Sequence, residues 1–258
     1  MLRKLLTVPA FLLALAAAAS AQDGAGAFDG RRAAVPFGVG ERMTYRVRLG
    51  PSNVGTGSME VERVDTLRGH ETYAMRFTLQ GGVLFAKVND DFRSWMDTQS
   101  LFSHRFKQDQ KEVRYERHRT IDFFPREGEW RTIDGKDSGK LATEAPLDDV
   151  SFMYFVRTLP LEVGKTYTFN RYFKEDGNPV TVKVLRRATI TVPAGTFKTI
   201  VVQPIIKTKG LFSEGGKAEL YFTDDDRRIM VQLKSKVKLI GSLDMLLQSY
   251  TPGRKLGS

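Results

Sequence analysis

The sequence contains no cysteine. That absence excludes disulfides, thiolate metal sites, a cysteine nucleophile and a lipid-modified N-terminal cysteine. Histidine is scarce: His70, His104 and His118 are the three in 258 residues. No pair of them has the i, i+4 spacing of ligands on one helix face, so no metal site and no cofactor is expected. No Gly-x-Ser-x-Gly elbow, Walker loop or dinucleotide fingerprint occurs. Beyond residue 21 no run is apolar enough to cross a bilayer as a helix. These absences remove whole enzyme classes without selecting a function. What remains is a globular composition, 41% hydrophobic and 27% charged, with a net charge of +10.

The N-terminus reads as an address. Met1-Leu2-Arg3-Lys4 is a short basic region, followed by an apolar run through Ala18 and then Ala19-Ser20-Ala21. Small residues at 19 and 21 fit the cleavage pattern of a secretory signal peptide over 1–21. The apolar run is shorter than the ~20 helical residues a bilayer core needs, although an N-terminal anchor is the alternative. Residues 22–36 are expected to be a flexible leader and 251–258 a tail. The chain is therefore expected to be periplasmic or secreted, and soluble once the signal is removed. Without disulfides its stability must come from a hydrophobic core.

Period two dominates the rest of the chain. In 41–49 Met43, Tyr45, Val47 and Leu49 alternate with Arg42, Thr44, Arg46 and Arg48, the pattern of a half-buried strand with one wet face. Similar runs occupy 58–64, 73–79, 113–123, 166–173, 180–185, 199–206, 218–222 and 229–239. Arg68-Gly69, Asp134-Gly135 and Asp176-Gly177-Asn178 supply turn chemistry between them. One segment differs. Asp148-Asp149 precedes the apolar stretch 150–159, stopped by Pro160, which predicts a capped helix over 149–159. The expected fold is mainly β: a curved antiparallel sheet or open β-barrel over 37–250, with one short helix packed against it. A faint internal echo relates about 40–135 to 164–245.

A curved sheet with alternating faces makes an apolar interior, and a partly open one can hold a hydrophobic ligand. Candidate liners are Tyr45, Phe77, Phe152, Tyr154, Phe155, Tyr167 and Phe222. Arg157 would either read a head-group anion or pair with Asp149 or another carboxylate. Two Gly-flanked apolar tips, Leu84-Phe85 and Leu211-Phe212, are candidate contacts for a lipid or an envelope protein, with burial under the barrel end as the alternative. Basic concentrations at 114–119, 183–187 and 234–238 suit anionic lipid or acidic polysaccharide; export argues against nucleic acid. An enzyme would have to be built on Asp148, Asp149 and His118, although acidic residues before apolar runs and at loop tips are ordinarily caps and turns. No catalytic residue is assigned.

Phe37-x-x-Gly40-Glu41-x-x-x-Tyr45 opens a series of loose motifs. It continues with Asp148-Asp149-x-Ser151-Phe152-x-Tyr154-x-x-Arg157-x-x-Pro160-Leu161-x-x-Gly164, then Val192-Pro193-Ala194-Gly195-Thr196-Phe197-Lys198, then Phe222-x-x-Asp225-x-Arg227-Arg228. Their order and joint presence, over about 37–243, resemble an exported bacterial family known as domain of unknown function 3108. The resemblance implies an envelope-located, β-rich domain and carries no enzymatic activity or site residue with it.

Overall fold

A computed structural model describes residues 32–83, 86–112, 115–207, 218–237 and 241–256. The expected alternation at the start becomes β1 (Arg42–Leu49), with Met43, Tyr45 and Val47 buried inward and the arginines outward. Seven more strands continue as a meander: β2 (Ser52–Leu67), β3 (His70–Val83), β4 (Ala86–Asp97), β5 (Ser103–Glu112), β6 (Tyr115–Phe124), β7 (Glu129–Thr132) and β8 (Ser138–Lys140). Helix α1 (Asp149–Val156) separates them from a second meander: β9 (Thr166–Phe169), β10 (Val180–Val192), β11 (Gly195–Ile205), β12 (Glu219–Thr223), β13 (Met230–Val237) and β14 (Gly241–Thr251). The 14 strands form one antiparallel sheet, because β1 pairs with β14 and joins the meanders. The sheet does not close; β8 and β9 are its two margins.

Curvature is written into the backbone. Register shifts interrupt six ladders, among them β1–β14 at Thr44/Tyr45 and β4–β5 at Trp95/Met96. Such bulges bend a strand and strengthen its twist. Between β2 and β3, Gly55 faces Gly81 at close approach. A Cβ on Gly55 would lie 2.1 Å from the Gln80 carbonyl oxygen, so only glycine permits the contact. The β2–β3 turn places both Arg68 and Gly69 at positive φ, as a tight hairpin of right-handed strands requires.

One face of the sheet carries a hydrophobic core. Helix α1 packs on β3 and β4, burying Val150, Phe152, Met153, Tyr154 and Val156. It starts on the Asp148 side chain, which accepts from the Val150 and Ser151 amides at 2.9 Å, while the Ser151 hydroxyl accepts from the Asp148 amide. It ends at Val156, three residues short of the expected end, in a turn before Pro160. Strand β9 likewise stops at Phe169, so the expected 166–173 run is only half strand. No helix of the described residues is long and apolar enough to cross a membrane.

Candidate functional site

Arg157 and Glu41 are matched to each other inside the sheet, although the Tyr154 hydroxyl and Arg157 Nε are buried without a hydrogen-bond partner among the described residues. Arg157 follows α1 and its side chain is 0% exposed. Its guanidinium grips Glu41 bidentately, with Nη1 donating to Oε2 at 2.6 Å and Nη2 to Oε1 at 2.9 Å. Nη2 also donates to the Arg227 carbonyl, and the Tyr250 hydroxyl donates to Glu41. Phe37 and Tyr154 each present a ring 5.4 Å from the guanidinium carbon. The partner is thus Glu41, at the start of the fold, and not Asp149. Burial acts to lower the Arg157 pKa, but the Glu41 contact outweighs it and holds the group charged.

The aromatic residues expected to line a ligand space occupy the same interior. Tyr45, Phe152, Tyr154 and Phe222 are buried in the central cluster, and the Tyr45 hydroxyl donates to the Met230 carbonyl at 2.9 Å. Phe77, Phe155 and Tyr167 are half-buried against that cluster. Phe155 meets Phe169 edge-on, 5.4 Å between centroids. The apolar tips Leu84, Phe85, Leu211 and Phe212 lie outside the described residues, as does the signal segment 1–21.

Asp148, Asp149 and His118 are not assembled. Asp148 caps α1 and accepts from the Ser94 hydroxyl at 2.6 Å; burial lifts its pKa to about 6 against these hydrogen bonds. Asp149 is within 3.4 Å of the Tyr172 hydroxyl. His118 is exposed on β6, bonded to Asp109 and Glu116.

On the outer face a different arrangement occurs. Because β1 alternates, Arg46 and Arg48 project away from the core, beside Leu246 and Asp244 of β14 in the ladder. The Ala194 amide donates to the Leu247 carbonyl at 3.0 Å, which docks the β10–β11 turn on β14. A cleft of about 450 Å³ results, lined by Arg46, Arg48, Asn53, Val192, Pro193 and Leu246 among others. Arg48 donates to the Pro51 carbonyl at 3.3 Å. Neither arginine forms an ion pair among the described residues. Lys234 of β13 pairs with Asp244 in register; Lys238 of the same expected basic ladder lies outside the described residues.

A second cleft, of about 540 Å³, opens where β3, β4 and β5 meet. His70 and Asp97 line it and the buried His104 meets them, with His104 Nε2 at 3.0 Å and His70 Nδ1 at 3.4 Å from Asp97 Oδ2.

Residues 44–248 match the family model described as protein of unknown function (DUF3108). The chain belongs to this family. No curated protein matches the DUF3108 chain closely enough to lend it a role. Among solved structures it is similar to a β-barrel-like protein of the domain of unknown function DUF1849 from Brucella abortus. That match has 11% identity and a TM-score of 0.50, covering 84% of this chain and 98% of that one. It is a likeness of fold. A provisionally named lipoprotein from Parabacteroides distasonis (12% identity, TM-score 0.37, 86% of this chain, 100% of that one) aligns more loosely. So does a provisionally named exported protein with a YmcC-like fold from Bacteroides fragilis (10% identity, TM-score 0.31, 86% and 100%).

Two features of this DUF3108 protein escaped linear reading. Arg46 and Arg48 look like an ordinary wet strand face, and only the docked β10–β11 turn makes them walls of a cleft. The His70/Asp97/His104 cluster has no helix spacing because neighbouring strands bring it together. Burial pushes the Asp97 carboxyl up, but hydrogen bonds from His104 and from the Ser100 and Gln99 amides outweigh it and leave the group well below the usual carboxylate range. Burial takes the His104 imidazole below its ordinary value despite the opposing Asp97 contact.

Proposed function

We propose that this DUF3108 protein is an exported, non-catalytic envelope protein that binds an anionic amphiphile in the Arg46/Arg48 cleft. The observation that carries the reading is two guanidinium groups, without an ion-pair partner among the described residues, beside the apolar surface of Leu246, Val192 and Pro193. A charged head group would meet the arginines and an acyl segment the apolar wall, which is how a site recognises both ends of an amphiphile. The signal-like N-terminus supports placement in the periplasm. The interior aromatic residues and Arg157 serve this function by holding the curvature that brings the β10–β11 turn over β14.

The test is native mass spectrometry of the mature chain incubated with phosphatidylglycerol or phosphatidylcholine micelles. One phosphatidylglycerol adduct per chain, at least tenfold favoured over phosphatidylcholine and lost in an Arg46→Glu/Arg48→Glu variant, is expected. A clean apo mass with both lipids sinks the amphiphile reading. It would favour instead a scaffold role, in which a protein partner engages the loops or sheet margins.

A further inference from the structure

We propose that His70, Asp97 and His104 form a binding site for a divalent first-row transition ion, with Zn²⁺ the best-suited probe. The three sit at one end of adjacent strands: His70 opens β3, Asp97 closes β4 and His104 is the second residue of β5. His104 is aimed by the bulge. Trp95 pairs with Arg105 and Met96 with Ser103, so His104 is the extra residue between two partners. Ser103 and His104 are consequently both buried, where unbroken alternation would turn one of them outward.

The distances suit an ion. Zn²⁺ bonds nitrogen and oxygen at roughly 2.0–2.2 Å, which sets ligand-to-ligand edges of roughly 3.0–3.4 Å for octahedral to tetrahedral geometry. The two nitrogen-to-oxygen distances are 3.0 and 3.4 Å, and all three ligand atoms lie within 4.8 Å of one another. The imidazole rings are 4.2 Å apart with a tilt of 32°, so both can offer a nitrogen to one side. Two imidazoles and a carboxylate are a donor set that hard cations such as Ca²⁺ and Mg²⁺ do not favour and that Zn²⁺ does.

The surroundings orient these ligands. Asp97 Oδ1 accepts from the Gln99 amide at 2.9 Å and the Ser100 amide at 2.8 Å, which fixes the carboxylate and turns Oδ2 to the imidazoles. Phe102 packs its ring 4.7 Å from that of His104. Access is from one side: the His104 side chain is 4% exposed and that of His70 46%, at the cleft wall. Glu144 lines the same cleft and adds negative charge near the open position. The Ser100 hydroxyl is buried beside the Asp97 carboxylate and meets no hydrogen-bond partner among the described residues. Two cations oppose the ion. Arg68 donates to the His104 carbonyl at 2.8 Å, but its charge is met by Asp122 at 2.8 Å. Arg126 lines the cleft as well. Without an ion the cluster is a turn-capping carboxylate with two imidazole partners, and experiment separates the two cases.

Tag-free, chelator-stripped mature protein would be titrated with Zn²⁺ by calorimetry, with Co²⁺ absorption as a second readout of ligand geometry. The expected result is one equivalent bound, a thermal midpoint that rises with Zn²⁺, and binding at least tenfold weaker in His70→Ala and in Asp97→Asn. His104→Ala removes a buried ring and can unfold the chain; His70→Ala, at an exposed position, keeps the test clean. No stoichiometric uptake of Zn²⁺, or uptake by folded His70→Ala equal to that of the unsubstituted chain, overturns the proposal.

Discussion

Arg157 and the Arg46/Arg48 pair are the same residue type on opposite faces of one sheet, and their surroundings give them opposite tasks. Arg157 is shut away from water with both terminal nitrogens used, Nη1 and Nη2 by Glu41 and Nη2 also by the Arg227 carbonyl, while Nε meets no partner among the described residues. Arg46 and Arg48 project from the outer face and form no ion pair among the described residues. A buried charge must be matched within the protein, because an uncompensated ion in the interior is strongly destabilising. A charge on the wet face is under no such demand and stays available to an anion. The end of α1 carries Arg157 into the interior and the alternation of β1 turns Arg46 and Arg48 outward, and that placement decides which arginine holds the fold and which can hold a ligand.

The sharpest way to break this contrast is Arg157→Ala. It strands the Glu41 carboxylate in the core and should cost about 3–5 kcal/mol in urea denaturation. A folded variant of unchanged stability that has lost amphiphile binding would reverse the assignment.

Asp148 extends the comparison to an interior anion that lacks a cationic partner in its cap. Its pKa is lifted from 3.8 to about 6 by burial, so the folded state favours the protonated form. The stability this contributes is present below about pH 4 and lost as the pH rises through about 6, a change on the order of 3 kcal/mol. Asp148→Asn keeps an acceptor for the Val150 and Ser151 amides and removes the titration. The difference in unfolding free energy between unsubstituted chain and variant should therefore shift across about pH 4–6. Parallel profiles would show that the hydrogen bonds from Ser94 and the helix amides keep Asp148 ionised throughout.

Arg46→Glu/Arg48→Glu should change stability least, within about 0.5 kcal/mol by thermal or urea unfolding, as substitutions on a wet face do. The same variant is expected to lose phosphatidylglycerol, and in the unsubstituted chain that binding should weaken as salt is raised. A large stability loss instead would mean that these arginines brace the β10–β11 turn.

The fold was most legible where burial and alternation coincide. Met43, Tyr45 and Val47 announce β1, and Asp148, Asp149 and Pro160 bracket α1 to within a turn. It was least legible where polar side chains take inward positions. On β4 the buried Asp90 and Ser94 interrupt the apolar period, Ser94 because it donates to Asp148. On β5 the buried Gln108 does the same by accepting from Arg119. Strand β14 was obscured by its bulge: Thr44 pairs with Ser249 and Tyr45 with Leu247, so Gln248 is extra and the pattern slips by one. The candidate sites were hidden for a related reason. His70, Asp97 and His104 become neighbours only through strand pairing and one bulge, and the outer cleft exists only once a distant turn docks on β14.

The pairing of β1 with β14 also sets an order of events in folding. Every other ladder of the sheet joins strands adjacent in sequence, so each can form as a local hairpin; the central seam cannot. Closing it brings together segments separated by most of the chain, a loop-closure cost that short hairpins avoid and that slows folding. Until β14 arrives, β1 has a neighbour on one side only, and its open edge is a template for any other unpaired strand. Without that seam the two meanders would be separate half-sheets, and β14 is the strand that joins them.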